Sequence, residues 1–207
     1  MMHPDTKYKF INNEKGYGVV AAKFIPKGTI LYALCDLDRL FSLPEIKKIS
    51  QASLKFLTKY AYIDRYGNSI LNWDHGRFVN HSCEPNMLEI PDTDLSIAIR
   101  DIDANEEITC EYAICNLLHL FENKQCICKS KSCRKTLFAD DIITYNDHLH
   151  HLLGPALDFV NQVPQPLNHY IKSDWLNAIA NRTIPASSFK DFFYCSPKIK
   201  EKIPQAY

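Results

Sequence analysis

Turn-forming residues divide most of the first 112 residues into short runs that are rich in β-branched and aromatic side chains. Such runs, bounded by Gly, Pro, Asn and Asp, are typical of β-strands. The predicted strands cover residues 7–11, 18–24, 29–34, 96–99 and 108–112. Because they do not alternate regularly with helices, the pattern favours a mostly β fold with irregular connections over an alternating parallel sheet.

One segment of this region, residues 42–62, has roughly the spacing of a helix instead. Pro44 stands just inside a Ser42 cap, which suits the first turn of a helix. The apolar positions of the segment are Ile46, Ile49, Leu54 and Leu57. We therefore expect one helix here, followed by a hairpin turn at residues 64–68.

The pattern becomes predominantly helical after Cys133. Breaks at Gly154-Pro155 and at the Pro164/Pro166 pair interrupt it. The predicted helices are residues 140–153, 167–182 and 187–194. We place a boundary between the β-rich and the helical parts near residue 138.

Composition narrows the class of protein. The 24 Lys and Arg residues balance the 24 Asp and Glu residues, so no overall basic charge points to a nucleic-acid partner. No stretch approaches the roughly 18–20 apolar residues of a membrane span, and the first residues lack the design of a signal peptide. We therefore expect an intracellular protein whose eight cysteines are metal ligands or core residues, not disulfides.

Three local patterns follow one another along the chain. The first is Lys15-Gly16-Tyr17-Gly18, where glycines let the backbone approach a ligand, although a plain turn has the same pattern. The second is the polar run GRFVNHSCEPN at residues 76–86, which alone indicates a loop whose side chains cap the backbone. The third, EEITCEY at residues 106–112, alone indicates a strand that ends on an edge tyrosine.

In this order the three patterns resemble the signature of the SET-domain family of lysine methyltransferases: GxG, then RFxNHSCxPN, then ExxTxDY. The chain matches the middle block at every defined position and the last block at all but one. The likeness covers residues 8–133. It implies a curved β fold around a pseudoknot, in which the NHSC segment and the tyrosine-bearing strand thread together.

The resemblance also implies a pocket for S-adenosylmethionine on one face and a narrow lysine channel that enters from the opposite face. Tyr112 is the implied catalytic residue, at the point where the two substrates meet. By the match, the implied cofactor-binding residues are Lys15, Gly16, Tyr17, Gly18, Arg77, Phe78, Asn80, His81 and Tyr112.

Physical chemistry is consistent with these roles. Methyl transfer from a sulfonium is an in-line displacement, so positioning supplies much of the rate. The lysine amine must be neutral to attack, and a dry channel beside a sulfonium lowers its pKa. Tyr112 would orient the amine without the negative charge that keeps it protonated. We expect further channel side chains from Tyr60, Tyr62 and Tyr66, although each also suits a core or surface position.

Two positions depart from what the family usually carries. Glu111 stands where Asp is usual, which keeps the charge on a longer side chain. Cys110 occupies a channel position where the family often has Phe or Tyr, and a tyrosine there tends to restrict the number of methyl groups added. Because Cys110 is small and lacks that hydroxyl, we expect multiple methylation.

A CxCx4C pattern is formed by Cys126, Cys128 and Cys133. Tetrahedral zinc needs a fourth ligand. The resemblance supplies it as Cys83 of the NHSC segment, since SET proteins with such a post-SET tail complete their zinc site in this way. Free thiols in a reducing cell are the alternative. A zinc site would fold residues 121–133 over the cofactor, where Phe121 or Ile127 would pack on the adenine.

These observations predict a SET domain at residues 7–120, a post-SET zinc segment at 121–138 and a C-terminal helical extension at 139–207. The expected activity is that of an S-adenosylmethionine-dependent protein-lysine N-methyltransferase, with Zn²⁺ as a second cofactor. A catalytically weak SET-fold module that binds protein is the alternative. The expected partner is a histone or another lysine-bearing protein, without nucleic acid or membrane, in the nucleus, the cytoplasm or the host cell of a bacterial effector.

Overall fold

The computed structural model describes residues 1–64, 66–115, 124–172 and 175–183, together with residues 189 and 191. This part of the chain is mostly β with a few short helices, as the sequence predicts. The strands are β1 Thr6–Asn12, β2 Gly16–Ala21, β3 Ile30–Ala33, β4 Arg39–Phe41, β5 Tyr62–Ile63, β6 Ser69–Leu71, β7 Asn80–His81, β8 Met87–Glu89, β9 Leu95–Ala98, β10 Glu107–Cys110, β11 Lys124–Gln125 and β12 Thr136–Leu137. The α-helices are α1 Leu43–Ile46, α2 Gln51–Tyr60, α3 Asp141–Thr144, α4 Asn146–Leu157 and α5 Trp175–Ala180, and 3₁₀ helices lie at His75–Phe78 and Asn168–Tyr170.

The largest sheet has the strand order β1-β2-β10-β7. β1 and β2 form an antiparallel hairpin, and β10 pairs with β2 in antiparallel orientation, with Ile108 opposite Val19. On its other side β10 pairs in parallel with β7, so that Thr109 faces Asn80 and Cys110 faces His81. This parallel pairing brings the Asn-His pair of the polar run directly beside the strand that leads to Tyr112.

The remaining strands form small sheets around this one. β9 lies between β3 and β8, and β6 lies between β4 and β5. The hairpin predicted at residues 64–68 is present, since the Gly67 N–H donates to the Asp64 carbonyl between β5 and β6. A two-stranded sheet of β11 and β12 frames the CxCx4C segment.

The single helix predicted over residues 42–62 is wrong, because the segment forms two helices. The Glu45 carboxylate accepts from the Ser42 N–H at 2.9 Å and fixes the start of α1. Ser50 then accepts from the Ser53 N–H at 3.2 Å and caps α2. Two N-terminal caps in one segment therefore divide it.

The break predicted at Gly154-Pro155 is also wrong, because α4 continues through Pro155 to Leu157. A proline inside a helix costs roughly 3 kcal/mol, since it removes a hydrogen bond and crowds the preceding turn. Leu149, Leu153 and Ala156 of the same helix are buried, and their burial offsets this cost. The helix predicted at residues 140–153 is likewise two helices, α3 and α4.

Of the helix predicted at residues 167–182, the structure contains the 3₁₀ helix and α5. Except for Phe189 and Asp191, the helix predicted at 187–194 lies outside the described residues. The apolar residues of the C-terminal part share one core with the strands, since Leu149, Leu153 and Ile179 cluster with Ile30 and Leu88. Among the described residues, no helix combines the length and the apolar character that crossing a bilayer requires.

Candidate active site and cysteine cluster

A pocket of about 340 Å³ lies between the β1–β2 turn, the 3₁₀ helix before β7, and the segment that begins at β11. Most of the predicted cofactor-binding residues line it, although they come from three separate parts of the sequence. They are Lys15, Gly16, Tyr17, Arg77, Phe78, Asn80, His81 and Tyr112. Ile127 also lines this pocket, whereas Phe121, the other residue expected to pack on an adenine, lies outside the described residues.

Asn80 holds the pocket wall in place. Its side-chain amide donates to the Tyr17 carbonyl at 3.1 Å and to Glu107 Oε1 at 2.9 Å. Lys15 Nζ pairs with the other carboxylate oxygen of Glu107 at 2.6 Å. These contacts fasten the β1–β2 turn to β10 through the middle motif, so the three sequence patterns meet in one structural unit.

Glycine is required at the two positions of the first motif for different structural reasons. Gly16 adopts a φ of 75°, which favours glycine because it has no Cβ. Gly18 does not line the pocket. A Cβ there would lie 2.8 Å from Glu107 Oε1 and 2.9 Å from Asn80 Nδ2, so the absence of a side chain permits the close packing of β2 on β10.

A second, smaller cavity of about 100 Å³ adjoins the first and is lined by Tyr60, Tyr62, Cys110 and Tyr112 among others. Tyr66 does not line it; that side chain is 79% exposed and borders a neighbouring cavity. The residues common to the two cavities are Lys59, Tyr60, Arg77, Val79 and Tyr112. The cavities therefore meet at Tyr112, with the predicted cofactor residues on one side and most of the predicted channel residues on the other.

Tyr112 lies two residues after the end of β10 and is held at three points. Its hydroxyl donates to the Val79 carbonyl at 3.1 Å, and its backbone N–H donates to His81 Nδ1 at 3.3 Å. Its ring lies 5.4 Å from the His81 ring. Burial, with Cys110 and Cys115 nearby, raises the pKa of Tyr112 above its usual range, so the hydroxyl is neutral at physiological pH.

Tyr62 and Tyr32 place further hydroxyl groups at the smaller cavity. Burial raises the pKa of Tyr62 well above its usual value, and the charge of Glu89 adds to this effect. The hydroxyl oxygens of Tyr62 and Tyr32 are 3.4 Å apart, and Tyr32 donates to Asp38 at 3.0 Å. The cavity wall therefore combines these protonated phenols with the ionisable side chains of Lys59, Arg77, Glu89, Asp94 and Glu111.

The four predicted zinc ligands lie together. The sulfur atoms of Cys83, Cys126, Cys128 and Cys133 are all within 4.8 Å of one another. Zinc–thiolate bonds of about 2.3 Å in a tetrahedron place sulfur atoms roughly 3.8 Å apart, and Cys83 and Cys126 are 3.7 Å apart. The donor set therefore fits zinc.

The thiols of the cluster differ in their ionisation: burial raises the pKa of Cys83 and of Cys126, whereas the pKa of Cys128 is lowered. Burial opposes ionisation of this thiol, but hydrogen bonds from the Cys83 backbone and from Ser130 outweigh it and lower the pKa of Cys128 to about 6. A thiol with such a pKa is largely thiolate at neutral pH, and the thiolate is the form that binds a metal.

Sequence reasoning missed several residues of the site. Val79 accepts the Tyr112 hydroxyl through its backbone carbonyl, and a backbone contact of this kind cannot be inferred from the residue type. The ammonium of Lys124 lies 5.1 Å from the centre of the Tyr112 ring. Burial lowers the pKa of Lys124. Arg134 contacts both the cysteine cluster and the segment of Tyr112; its position next to Cys133 was the one available signal.

Comparison with known proteins identifies similar sequences and structures. The family model described as SET domain matches residues 16–113. The histone-lysine N-methyltransferase SETMAR of Bos taurus is 29% identical over 154 residues, which cover 60% of this chain and 49% of that protein. The H3 lysine-9 specific histone-lysine N-methyltransferase of Schizosaccharomyces pombe is 29% identical over 159 residues, covering 62% of this chain and 32% of that protein.

The chain spans about half the length, or less, of these curated relatives. Among solved structures, the methyltransferase domain of human SETMAR is similar with a TM-score of 0.44 and 23% identity, over 66% of this chain and 58% of that one. KRYPTONITE in complex with mCHG DNA and SAH is similar with a TM-score of 0.43 and 24% identity, over 61% of this chain and 28% of that one.

Proposed function

Because this chain contains a SET domain at residues 16–113, we propose that it transfers the methyl group of S-adenosylmethionine to the ε-amine of a lysine in a protein substrate. The observation that carries the proposal is the position of Tyr112 at the junction of the two cavities. Two substrates bound in the separate cavities would meet at the wall that the cavities share, and Tyr112 is part of that wall. The relatives of this chain are named histone-lysine N-methyltransferases, which supports the same class of reaction.

The larger pocket suits the methyl donor. When bound, S-adenosylmethionine supplies a methyl group made electrophilic by the sulfonium. Gly16 and Tyr17, at the start of β2, would offer backbone groups to this ligand, and the Asn80 contact keeps this part of the strand in place. The ring of Phe78 and the half-exposed ring of Tyr17, 6.1 Å apart, offer apolar surface at the pocket wall.

The smaller cavity suits a lysine side chain. Its inner end holds the neutral hydroxyl of Tyr112, which does not keep the amine protonated. Glu89 and Asp94 line both this cavity and its neighbour, so they lie toward the end remote from the larger pocket. Their charges would attract the incoming ammonium, whereas burial further in favours the neutral amine that reacts.

The four-cysteine cluster would hold Zn²⁺ through Cys83, Cys126, Cys128 and Cys133. Cys126 and Cys128 also line the larger pocket. A metal bound there would fix the post-SET segment as one wall of that pocket, and its contribution would be structural. We propose the corresponding division of the chain into a SET domain at 7–120, a zinc segment at 121–138 and an extension at 139–207.

The substrate that the relatives' names favour is a histone, and we propose a histone or another lysine-bearing protein as the partner. A nuclear site of action would follow for a histone. Methylated peptides and their modified lysines would identify the partner directly.

The test is a methylation assay with isotope-labelled S-adenosylmethionine on histones and on a cell lysate. Wild-type protein should label protein lysine, and Tyr112→Phe should lose about 10²-fold in turnover because the amine is no longer oriented. Tyr170→Phe, at a tyrosine that is 45% exposed outside both cavities, serves as the control. Calorimetry should show that Tyr112→Phe still binds S-adenosylmethionine; wild-type protein that binds without labelling any lysine would favour the binding-module alternative.

A further inference from the structure

Arg134 is a buried arginine at the centre of the contacts between the cysteine cluster, the segment of Tyr112 and the helical part of the chain. It follows Cys133 directly, and its side chain is only 11% exposed. An arginine offers five N–H donors in a fixed planar fork. Burial of such a group is costly unless its charge and its donors are matched, so its partners indicate what it is for.

Two of its donors reach a metal-ligand sulfur. The backbone N–H and the Nε–H of Arg134 lie 3.4 Å and 3.3 Å from Cys83 Sγ. His81 Nδ1 accepts the Tyr112 N–H, and Nε2 of the same ring lies 3.4 Å from the Cys83 sulfur and 3.5 Å from Arg134 Nη2. Two N–H groups of Arg134 therefore point at Cys83, with the His81 ring beside the same sulfur, as suits a thiolate bound to a metal.

The guanidinium tips bind two carboxylates. Nη2 lies 2.6 Å from Glu111 Oε2, and Nη1 lies 3.1 Å from Asp141 Oδ2 in α3. The guanidinium also stacks on Tyr145, at 4.7 Å from the ring centre. Both carboxylate side chains are at most 7% exposed, so these are buried, charge-assisted contacts and not surface ion pairs.

Both routes from Arg134 end at Tyr112. Glu111 precedes Tyr112, and its second oxygen accepts the Ala113 N–H at 3.0 Å, so the arginine holds a carboxylate that braces both sides of the tyrosine. The other route runs through Cys83 and His81 to the Tyr112 N–H. The use of Glu in place of the family's usual Asp at position 111 gives a longer side chain for this contact.

We propose that Arg134 is a positioning residue that couples metal binding at the four-cysteine cluster to the position of Tyr112, and that it fastens α3 to the same unit. The proposal rests on the metal site of the proposed function. A metal bound to the cluster fixes Cys83 and Cys133. Arg134, which follows Cys133 and contacts Cys83, is thereby positioned against Glu111. Glu111 and His81 then hold the backbone of Tyr112.

The experiment compares the wild-type protein with Arg134→Met, Arg134→Lys and the control Arg182→Met. Arg182 pairs with Asp158 at an exposed position, 2.7 Å apart, outside this network. Zinc affinity is measured by competition with a colorimetric chelator. Hydrogen exchange of the backbone at residues 109–113 and in α3 is measured with and without zinc, alongside kcat and KM.

Arg134→Met should lower zinc affinity roughly 10- to 100-fold. Even at saturating zinc, the Tyr112 amide of this variant should exchange as fast as in the zinc-free wild type. The fold decrease in kcat should exceed the fold change in the KM for S-adenosylmethionine. Arg134→Lys should restore the pairing with a carboxylate but not the contacts to Cys83, because an ammonium cannot span both. Arg182→Met should match the wild type.

Two outcomes would overturn the proposal. In the first, Arg134→Met binds zinc as tightly as the wild type does, and zinc protects its residues 109–113 from exchange to the same extent. The other is wild-type protein in which zinc removal leaves exchange at Tyr112 unchanged, a readout that holds even if Arg134→Met does not fold. Neither readout requires turnover, so a protein that shows this coupling but methylates nothing would contradict the proposed function alone.

Discussion

The Tyr112 hydroxyl donates a hydrogen bond of 3.1 Å to the backbone carbonyl of Val79, and both residues line both cavities. The bond fixes the direction of the hydroxyl and leaves the lone pairs of its oxygen available to a substrate amine. Because the acceptor is a main-chain atom next to Asn80, the polar run that shapes the larger pocket also sets the orientation of the tyrosine.

Replacement of Gly18 by alanine should destabilise the protein. The added Cβ would lie within 2.9 Å of Glu107, Ile11 and Asn80 atoms, and overpacking of this kind typically costs about 1–3 kcal/mol. Affinity for S-adenosylmethionine should fall as well, because Asn80 positions the pocket wall. Urea denaturation and calorimetry measure the two effects.

Gly154→Ala is the matched control for that substitution. Within the part of the chain that the structure describes, and apart from the backbone of its own helix and its chain neighbours, no atom lies within 4 Å of a Cβ built at Gly154; the residue is inside α4. Alanine there should stabilise the protein by up to about 1 kcal/mol. Equal effects of the two substitutions would contradict the packing role assigned to Gly18.

Replacement of Cys110 by tyrosine should reduce the number of methyl groups added to one lysine. Cys110 is buried and lines the smaller cavity with Tyr112, so a phenol would fill space that a methylated amine needs. Mass spectrometry of a peptide methylated to completion should show di- or trimethylated product with wild-type protein and monomethylated product with the variant. Wild-type protein that adds only one methyl group to each lysine would contradict the expectation of multiple methylation.

Removal of zinc should destabilise the protein and weaken binding of S-adenosylmethionine. A metal that binds only the folded chain stabilises it by about 4 kcal/mol when its free concentration is 1,000 times Kd. Thermal unfolding with and without a chelator measures the first effect, and calorimetry the second. Cys133→Ser should reproduce the loss, whereas Cys35→Ser, outside the cluster, should not.

Stability should fall as the pH drops below about 6.5, in part because of His3. This side chain is 4% exposed, its Nδ1 accepts the Asp5 N–H at 3.1 Å, and burial lowers its pKa. His3 therefore binds a proton near pH 6.5 in the unfolded chain, but only at lower pH in the folded chain. The free energy of unfolding consequently decreases as the pH falls.

The measurement is the free energy of unfolding near pH 7.5 and near pH 5.5 for wild type, His3→Gln and His148→Gln. Other groups also contribute to the pH dependence, so the informative quantity is the difference between variants. His3→Gln should lose less stability between the two pH values than the wild type does. His148, which is exposed, should give the wild-type dependence; an unchanged dependence in His3→Gln would refute the role of that residue.

Local sequence patterns were sufficient for much of the β part. The strands predicted at residues 7–11, 29–34 and 96–99 correspond to β1, β3 and β9, because strand propensity and turn residues act over a few positions. The helices were predicted less well. Ser50 as a second cap and Pro155 inside α4 depend on which conformation buries more apolar surface, and that is decided by the tertiary structure.

The sequence alone determined the candidate residues: the three motifs and the CxCx4C cysteines stand at characteristic spacings, and the resemblance to the SET-domain family adds Cys83. Only the tertiary structure decided how they are joined. It placed Tyr60 and Tyr62 at the smaller cavity but not Tyr66, and it assigned the Val79 carbonyl to Tyr112 and the Arg134 fork to Glu111 and Asp141. These are contacts between distant segments, whose partners are chosen by the packing of the whole core and leave no local signal in the chain.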